Sequence, residues 1–115
     1  MTKNAKLLRI FVGEADKKGS IPIYEVIIHE ASRQKLAGAT VYKGIMGFGS
    51  SSRIHSAKFL TISDDLPLVI EIVDEEENVQ NFIPYLEKLF EETNSGALIT
   101  IEKAEIIKIN TAIKS

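Results

Sequence analysis

Leu68-Val69-Ile70-Glu71-Ile72-Val73 is followed by Asp74-Glu75-Glu76-Glu77 and then by Val79, Phe82, Ile83, Leu86, Leu89 and Phe90. The first stretch is short, β-branched and nearly continuous in apolar residues, which predicts the strongest strand of the chain. The apolar residues after it recur at i, i+3, i+4 and i+7, the spacing of one helix face. Asp74 is the expected N-cap, and the three glutamates place negative charge at the positive end of the helix dipole. Pro84 conflicts with this pattern and predicts a kink or a delayed start. Asn94, Ser95 and Gly96 end the element, and Ala97 to Ile109 reads as a long last strand, bent near Ala104.

The same two periods recur upstream. Leu7 to Val12 (LLRIFV) reads as a strand ending at Gly13, and Glu14 to Ser20 as a loop. A helix follows, with Pro22 in its first turn and Ile23, Ile27 and Ala31 at four-residue spacing. Glu25, His29 and Arg33 form the opposite, polar stripe, and Gly38 is the expected stop. Ala39 to Ile45 reads as a second strand. Lys58 to Ile62 reads as a short strand, and Asp64, Asp65 and Pro67 as a turn. The order β-α-β-β-α-β defines an α+β, ferredoxin-like fold with two helices on one face of a four-stranded antiparallel sheet. The other face then carries Leu7, Phe11, Val69 and Val73, too apolar for an open sheet face, and a partner chain is the simplest cover.

The whole-chain numbers bound the function. With 115 residues, residues 1–115 form one domain. A hydrophobic fraction of 44% and a charged fraction of 26% are those of a folded globular chain. The net charge of -2 disfavours a nucleic-acid partner. With no cysteine there is no disulfide, thiolate ligand or Cys nucleophile, and two histidines, His29 and His55, do not make a zinc site. No apolar run is long enough for a signal peptide or membrane span, so the expected location is the cytoplasm.

Between the second and third strands lies Gly44-Ile45-Met46-Gly47-Phe48-Gly49, followed by three serines, Arg53 and His55. The G-x-x-G-x-G spacing is the reverse of the dinucleotide fingerprint, no helix follows, and a P-loop ending is missing. What remains is a glycine-rich turn whose backbone N–H groups suit an anion, with Arg53 as a forked donor. A solvated surface hairpin is the competing reading. A small hydrolase or phosphatase using Arg53, His55 and the loop serines is the alternative function, although no nucleophile elbow presents Ser51 or Ser52.

Leu8 to Glu14 (LRIFVGE), Gly38 to Val41 (GATV), Gly44 to Gly49 (GIMGFG), Ser52 to His55 (SRIH) and Asp65 to Asp74 (DLPLVIEIVD) together resemble the PII-like signalling superfamily, and more closely its branch described only as a domain of unknown function. The resemblance implies a homotrimer with an adenine nucleotide as effector ligand in clefts between subunits. The expected protein is a non-catalytic sensor of an adenine nucleotide or similar small anion, with no metal or other cofactor. It also implies that the loop after the second strand, the T-loop, engages a target. Members of the branch are often encoded near fluoride-exporter genes, which implies a membrane-transport protein as that target. Thr40, Gly47 and Gly49 are carried over as ligand contacts. Gly44, Phe48, Ser51, Arg53 and His55 complete the candidate ligand-binding set from the glycine–serine stretch. Departures are informative. Ser50 and Ser51 stand where PII proteins carry Arg-Gln, and Gly47 to Ser56 holds no tyrosine. The connection Thr93 to Gly96 holds no basic residue. Fewer phosphates need fewer cations, so AMP or ADP is favoured over ATP.

Overall fold

The computed structural model describes residues 3–48, 55–56 and 66–108. Strand β1 is Lys3–Gly13, β2 Lys17–Lys18 and β3 Ile21–Pro22, followed by helix α1, Ile23–Arg33. Then come β4 (Thr40–Lys43), β5 (Met46–Gly47), β6 (His55–Ser56), β7 (Pro67–Glu75), α2 (Glu76–Thr93) and β8 (Leu98–Ile106). The main sheet has four strands in the order β4-β7-β1-β8, every pairing antiparallel. This is the expected ferredoxin-like arrangement. The expected strand at Lys58 to Ile62 and the turn residues Asp64 and Asp65 lie outside the described residues.

Alternation along the strands sorts the two faces. Leu8, Ile10 and Val12 of β1 and Leu68, Ile70 and Ile72 of β7 are buried beneath the helices. They meet Ile23, Ile27 and Ala31 of α1 and Val79, Phe82, Leu86 and Leu89 of α2 in one cluster. Every α1 residue in that list belongs to its i, i+4 row, so the periodicity that predicts the helix also fills the core. Glu25, His29 and Arg33 are exposed.

Local differences from the sequence reading have physical reasons. The Glu14–Ser20 segment is not wholly irregular. Lys17 and Lys18 pair with Pro22 and Ile21 across a turn in which Gly19 has φ of 62°. Such a two-residue ladder has no periodicity to read. Pro22 is the N-cap of α1 rather than a residue of its first turn. The Ile23 N–H that opens the helix donates to the Asp16 carbonyl of the hairpin at 2.8 Å.

Gly38 does not end α1. Lys35 takes the left-handed conformation, with φ of 61°. The Lys35 N–H donates to Ser32 O and the Leu36 N–H to Ala31 O, the paired bonds of a Schellman ending.

Asp74 is not the N-cap of α2; Glu75 occupies that position without a side-chain cap bond. Asp74 is instead the last buried residue of β7, only 4% exposed. Its Oδ2 accepts from the Ala37 N–H at 2.8 Å, and its Oδ1 accepts from the Glu75 N–H and Asn78 Nδ2. One carboxylate thus joins the end of the α1 connection to the start of α2. Pro84 neither delays nor interrupts α2, which runs from Glu76 through to Thr93. It stands on the exposed side, where its missing N–H leaves a carbonyl open to water. Asn94, in the left-handed conformation, ends the helix as expected.

Candidate functional site

The glycine-rich segment begins where β4 leaves the sheet. The Gly44 N–H donates to the Pro67 carbonyl at 2.7 Å. A Cβ at Gly44 would stand 2.8 Å from Pro67 Cγ, and one at Gly47 would stand 3.1 Å from the same atom. Both glycines therefore allow the chain to lie against the first residue of β7. Close backbone approach, rather than positive φ, is their structural role. Met46 pairs with Ser56 and Gly47 with His55, so β5 and β6 form the base of a hairpin. Beside it Ile45 is 79% and Phe48 72% exposed.

Of the candidate ligand residues, the structure brings Gly44, Gly47 and the His55 backbone together. Phe48 adjoins them. Thr40 begins β4, four residues from Gly44, about 13 Å away along an extended strand. It opposes Glu71 of β7 rather than the hairpin base. Gly49, Ser51 and Arg53 lie outside the described residues.

A second set of polar groups lies near Thr40, on the sheet face away from the helices. Arg9 Nε donates to Glu71 Oε2 at 2.9 Å, and Arg9 Nη1 donates to Glu102 Oε1. The Tyr42 hydroxyl donates to Glu71 Oε1 at 2.8 Å. The row Tyr42–Glu71–Arg9–Glu102 therefore crosses β4, β7, β1 and β8. The Arg9 hydrogen bond, with help from Tyr42, holds the Glu71 carboxyl below its ordinary range. The same carboxylate raises Tyr42, because the bond favours the neutral phenol. On this face Leu7 opposes Val73, and Phe11 lies between Val69 and Leu98. Val73 and Leu98 are exposed, and Leu7, Phe11 and Val69 half-buried.

The sequence reading assigns Leu7, Phe11, Val69 and Val73 to this face, and by the same alternation Arg9 and Glu71 share it. Their mid-strand positions among apolar neighbours were the available signal for a cross-strand pair. The positive charge near the end of α2 comes from β2 and from the helix itself. The connection Thr93–Gly96 has no cation of its own, yet Lys18 of β2 reaches Glu92 at 3.8 Å. Lys88 shares the same Glu92 carboxylate at 3.9 Å. Among the described residues, no group of three or more His, Asp or Glu is placed to hold a metal ion. No helix among them is long and apolar enough to cross a membrane.

A split βαβ protomer of this topology is also the fold of solved PII-like proteins. CPII of Thiomonas intermedia K12, a nitrogen regulatory PII-like protein solved with ADP, AMP and bicarbonate, has a similar fold. It superposes with a TM-score of 0.71 at 18% identity, over 94% of this chain and 92% of CPII. TTHA0516 of Thermus thermophilus, a protein of PII-like signaling type by description, gives a TM-score of 0.66 at 14% identity, over 92% of each chain.

Residues 5–106 match the DUF190 family, "Uncharacterized ACR, COG1993", and the chain belongs to that family. A UPF0166 protein of Aquifex aeolicus (strain VF5) is 38% identical over 102 residues, 89% of this chain and 92% of that protein. The UPF0166 protein MJ1524 of Methanocaldococcus jannaschii is 36% identical over 107 residues, 93% of this chain and 95% of that one.

Proposed function

We propose that this protein is a non-catalytic PII-like regulator of the cytoplasm. Three copies associate through their open sheet faces, and an adenine nucleotide binds in the clefts between them. The segment between β5 and β6 then acts on a target protein, a membrane transporter being the favoured class. The observation that carries the reading is the fixed base of this segment. Gly44 and Gly47 are pressed on Pro67, and His55 is paired to Gly47, directly after the edge strand β4. A segment anchored in this way transmits what happens at the interface. The ADP and AMP held by CPII supply the ligand class, and the shared fold supplies the expectation that it transfers.

AMP or ADP should bind in preference to ATP with magnesium. Each further phosphate needs donors or cations. The connection Thr93–Gly96 offers backbone groups but no Lys or Arg of its own. Arg53 is the basic residue of the glycine–serine stretch and the proposed phosphate contact, with Thr40, Gly47, Gly49, Ser51 and His55 as further contacts. Titration calorimetry with AMP, ADP and ATP on the wild type and on Arg53→Ala tests the reading. Loss of a charged hydrogen bond to phosphate should weaken AMP binding by about 1.5–3 kcal/mol. Unchanged AMP affinity would remove Arg53 from the site. Absence of binding by any adenine nucleotide would contradict the function.

A further inference from the structure

The polar row on the open sheet face is only partly satisfied within one chain. Glu71 is complete: one oxygen accepts from Arg9 Nε and the other from the Tyr42 hydroxyl. Arg9 uses Nε and Nη1, and Glu102 uses Oε1. Among the described residues, neither Arg9 Nη2 nor Glu102 Oε2 has a hydrogen-bond partner. Both side chains are partly open to solvent while the face is uncovered. A cover of apolar side chains would suit Leu7, Phe11, Val69 and Val73, but would strip water from a guanidinium donor and a carboxylate oxygen without replacing it. Burying such groups unpaired is costly. The face therefore needs a partner that is apolar around its own spare donor and spare acceptor. A second copy of this face meets that description, because it carries the same two atoms on the same apolar ground.

We infer that Arg9 and Glu102 pair between copies: where a second copy of this chain covers the face, Arg9 Nη2 of one copy donates to Glu102 Oε2 of the other. This rests on the trimeric reading above and adds to it the bond that selects the partner. Glu102 is placed for the exchange. It lies on β8, the edge strand, and its side chain is 57% exposed. Arg9, on the inner strand, is 33% exposed and is held in orientation by Glu71. The row then acts as a specificity device. A different apolar chain would leave both atoms unpaired, whereas in a ring of identical chains one neighbour pairs with Arg9 and the other with Glu102.

Mixing two charge-reversal variants separates a bond between copies from one within a chain. Arg9→Glu and Glu102→Arg are each purified, checked for native circular dichroism, and weighed by native mass spectrometry and sedimentation velocity at micromolar concentration. Each variant alone is expected to dissociate at least tenfold more readily than the wild type. An equimolar mixture is expected to assemble more readily than either variant alone: each variant alone sets like charges at all three contacts of a trimer, whereas a mixed trimer matches carboxylate to guanidinium at two contacts and keeps one like-charged. Mixing that gives no more assembly than either variant alone, beside an oligomeric wild type, would overturn the inference and leave the trimeric reading standing. A monomeric wild type would overturn both. Glu102→Gln, at an exposed position the fold should tolerate, gives an independent readout. Its assembly should weaken several-fold, and wild-type assembly strength would contradict the bond.

Discussion

The two faces of the sheet use the same strands and solve different problems. Beneath the helices, Leu8, Ile10, Ile70 and Ile72 are essentially inaccessible, with the buried Asp74 carboxylate only at the end of the β7 row. On the other face, Leu7, Phe11, Val69 and Val73 alternate with Arg9 and Glu71 along the same two strands. A purely apolar face is strong and undiscriminating. A face that mixes apolar ground with a charged row is weaker but accepts few partners. The inner face belongs to folding of the single chain, and the outer face, in the proposed reading, to recognition of its copies.

The largest expected effect lies on the inner face. Phe82 is fully buried and its ring is 5.7 Å from that of Tyr85. Phe82→Ala should lower unfolding stability by about 3–5 kcal/mol in denaturant titration. Val69→Arg on the outer face should break the comparison the other way. The single chain should keep its fold by circular dichroism, while the assembly dissociates in sedimentation, because a charge without a partner would be buried between copies. Equal loss of fold in both variants would erase the distinction between the faces.

Gly44→Ala tests the hairpin base that joins the outer face to the proposed effector segment. Its Cβ would stand 2.8 Å from Pro67 Cγ and 3.2 Å from the Pro67 carbonyl oxygen. Overpacking of this kind should cost about 1–3 kcal/mol, read by thermal melting. Unchanged stability would mean that the β4–β5 turn yields, and the base would not be rigid.

The smallest effect belongs to a surface pair far from either function. The Glu30 carboxyl is held down at about 2, first by its hydrogen bonds from Arg33 and then from Gln34, against an ordinary 4.5. Its folded value lies below the unfolded one. The stabilisation is therefore present above pH 4.5 and is lost as pH falls toward 2. Glu30→Gln should flatten the acid limb of stability in that window and cost under about 1 kcal/mol at neutral pH.

The sequence made the layers legible because burial leaves a period. The i, i+4 row of α1 and the alternation of β1 and β7 are consequences of facing one core. Contacts that join distant residues left no such trace. Arg9 and Glu71 are 62 positions apart, and Arg9 and Glu102 are 93 apart. Only the strand register brings them into line. Asp74 looked like a cap because carboxylates favour helix starts, but its partner is the Ala37 N–H on another connection. Gly38 looked like a helix stop for its lack of Cβ, yet Lys35 accepts the left-handed turn because the Schellman bonds hold it there. In the candidate site, the glycines were visible as a motif. Their reason, contact with Pro67 some twenty residues on, was not.

The central claim is that copies of this chain join through the open face and hold an adenine nucleotide between them. Native mass spectrometry of the purified protein, before and after addition of AMP, tests it most directly. The expected result is a species of three times the 12.8 kDa chain mass that gains up to one AMP per chain. A single chain of 12.8 kDa that gains no nucleotide would contradict it.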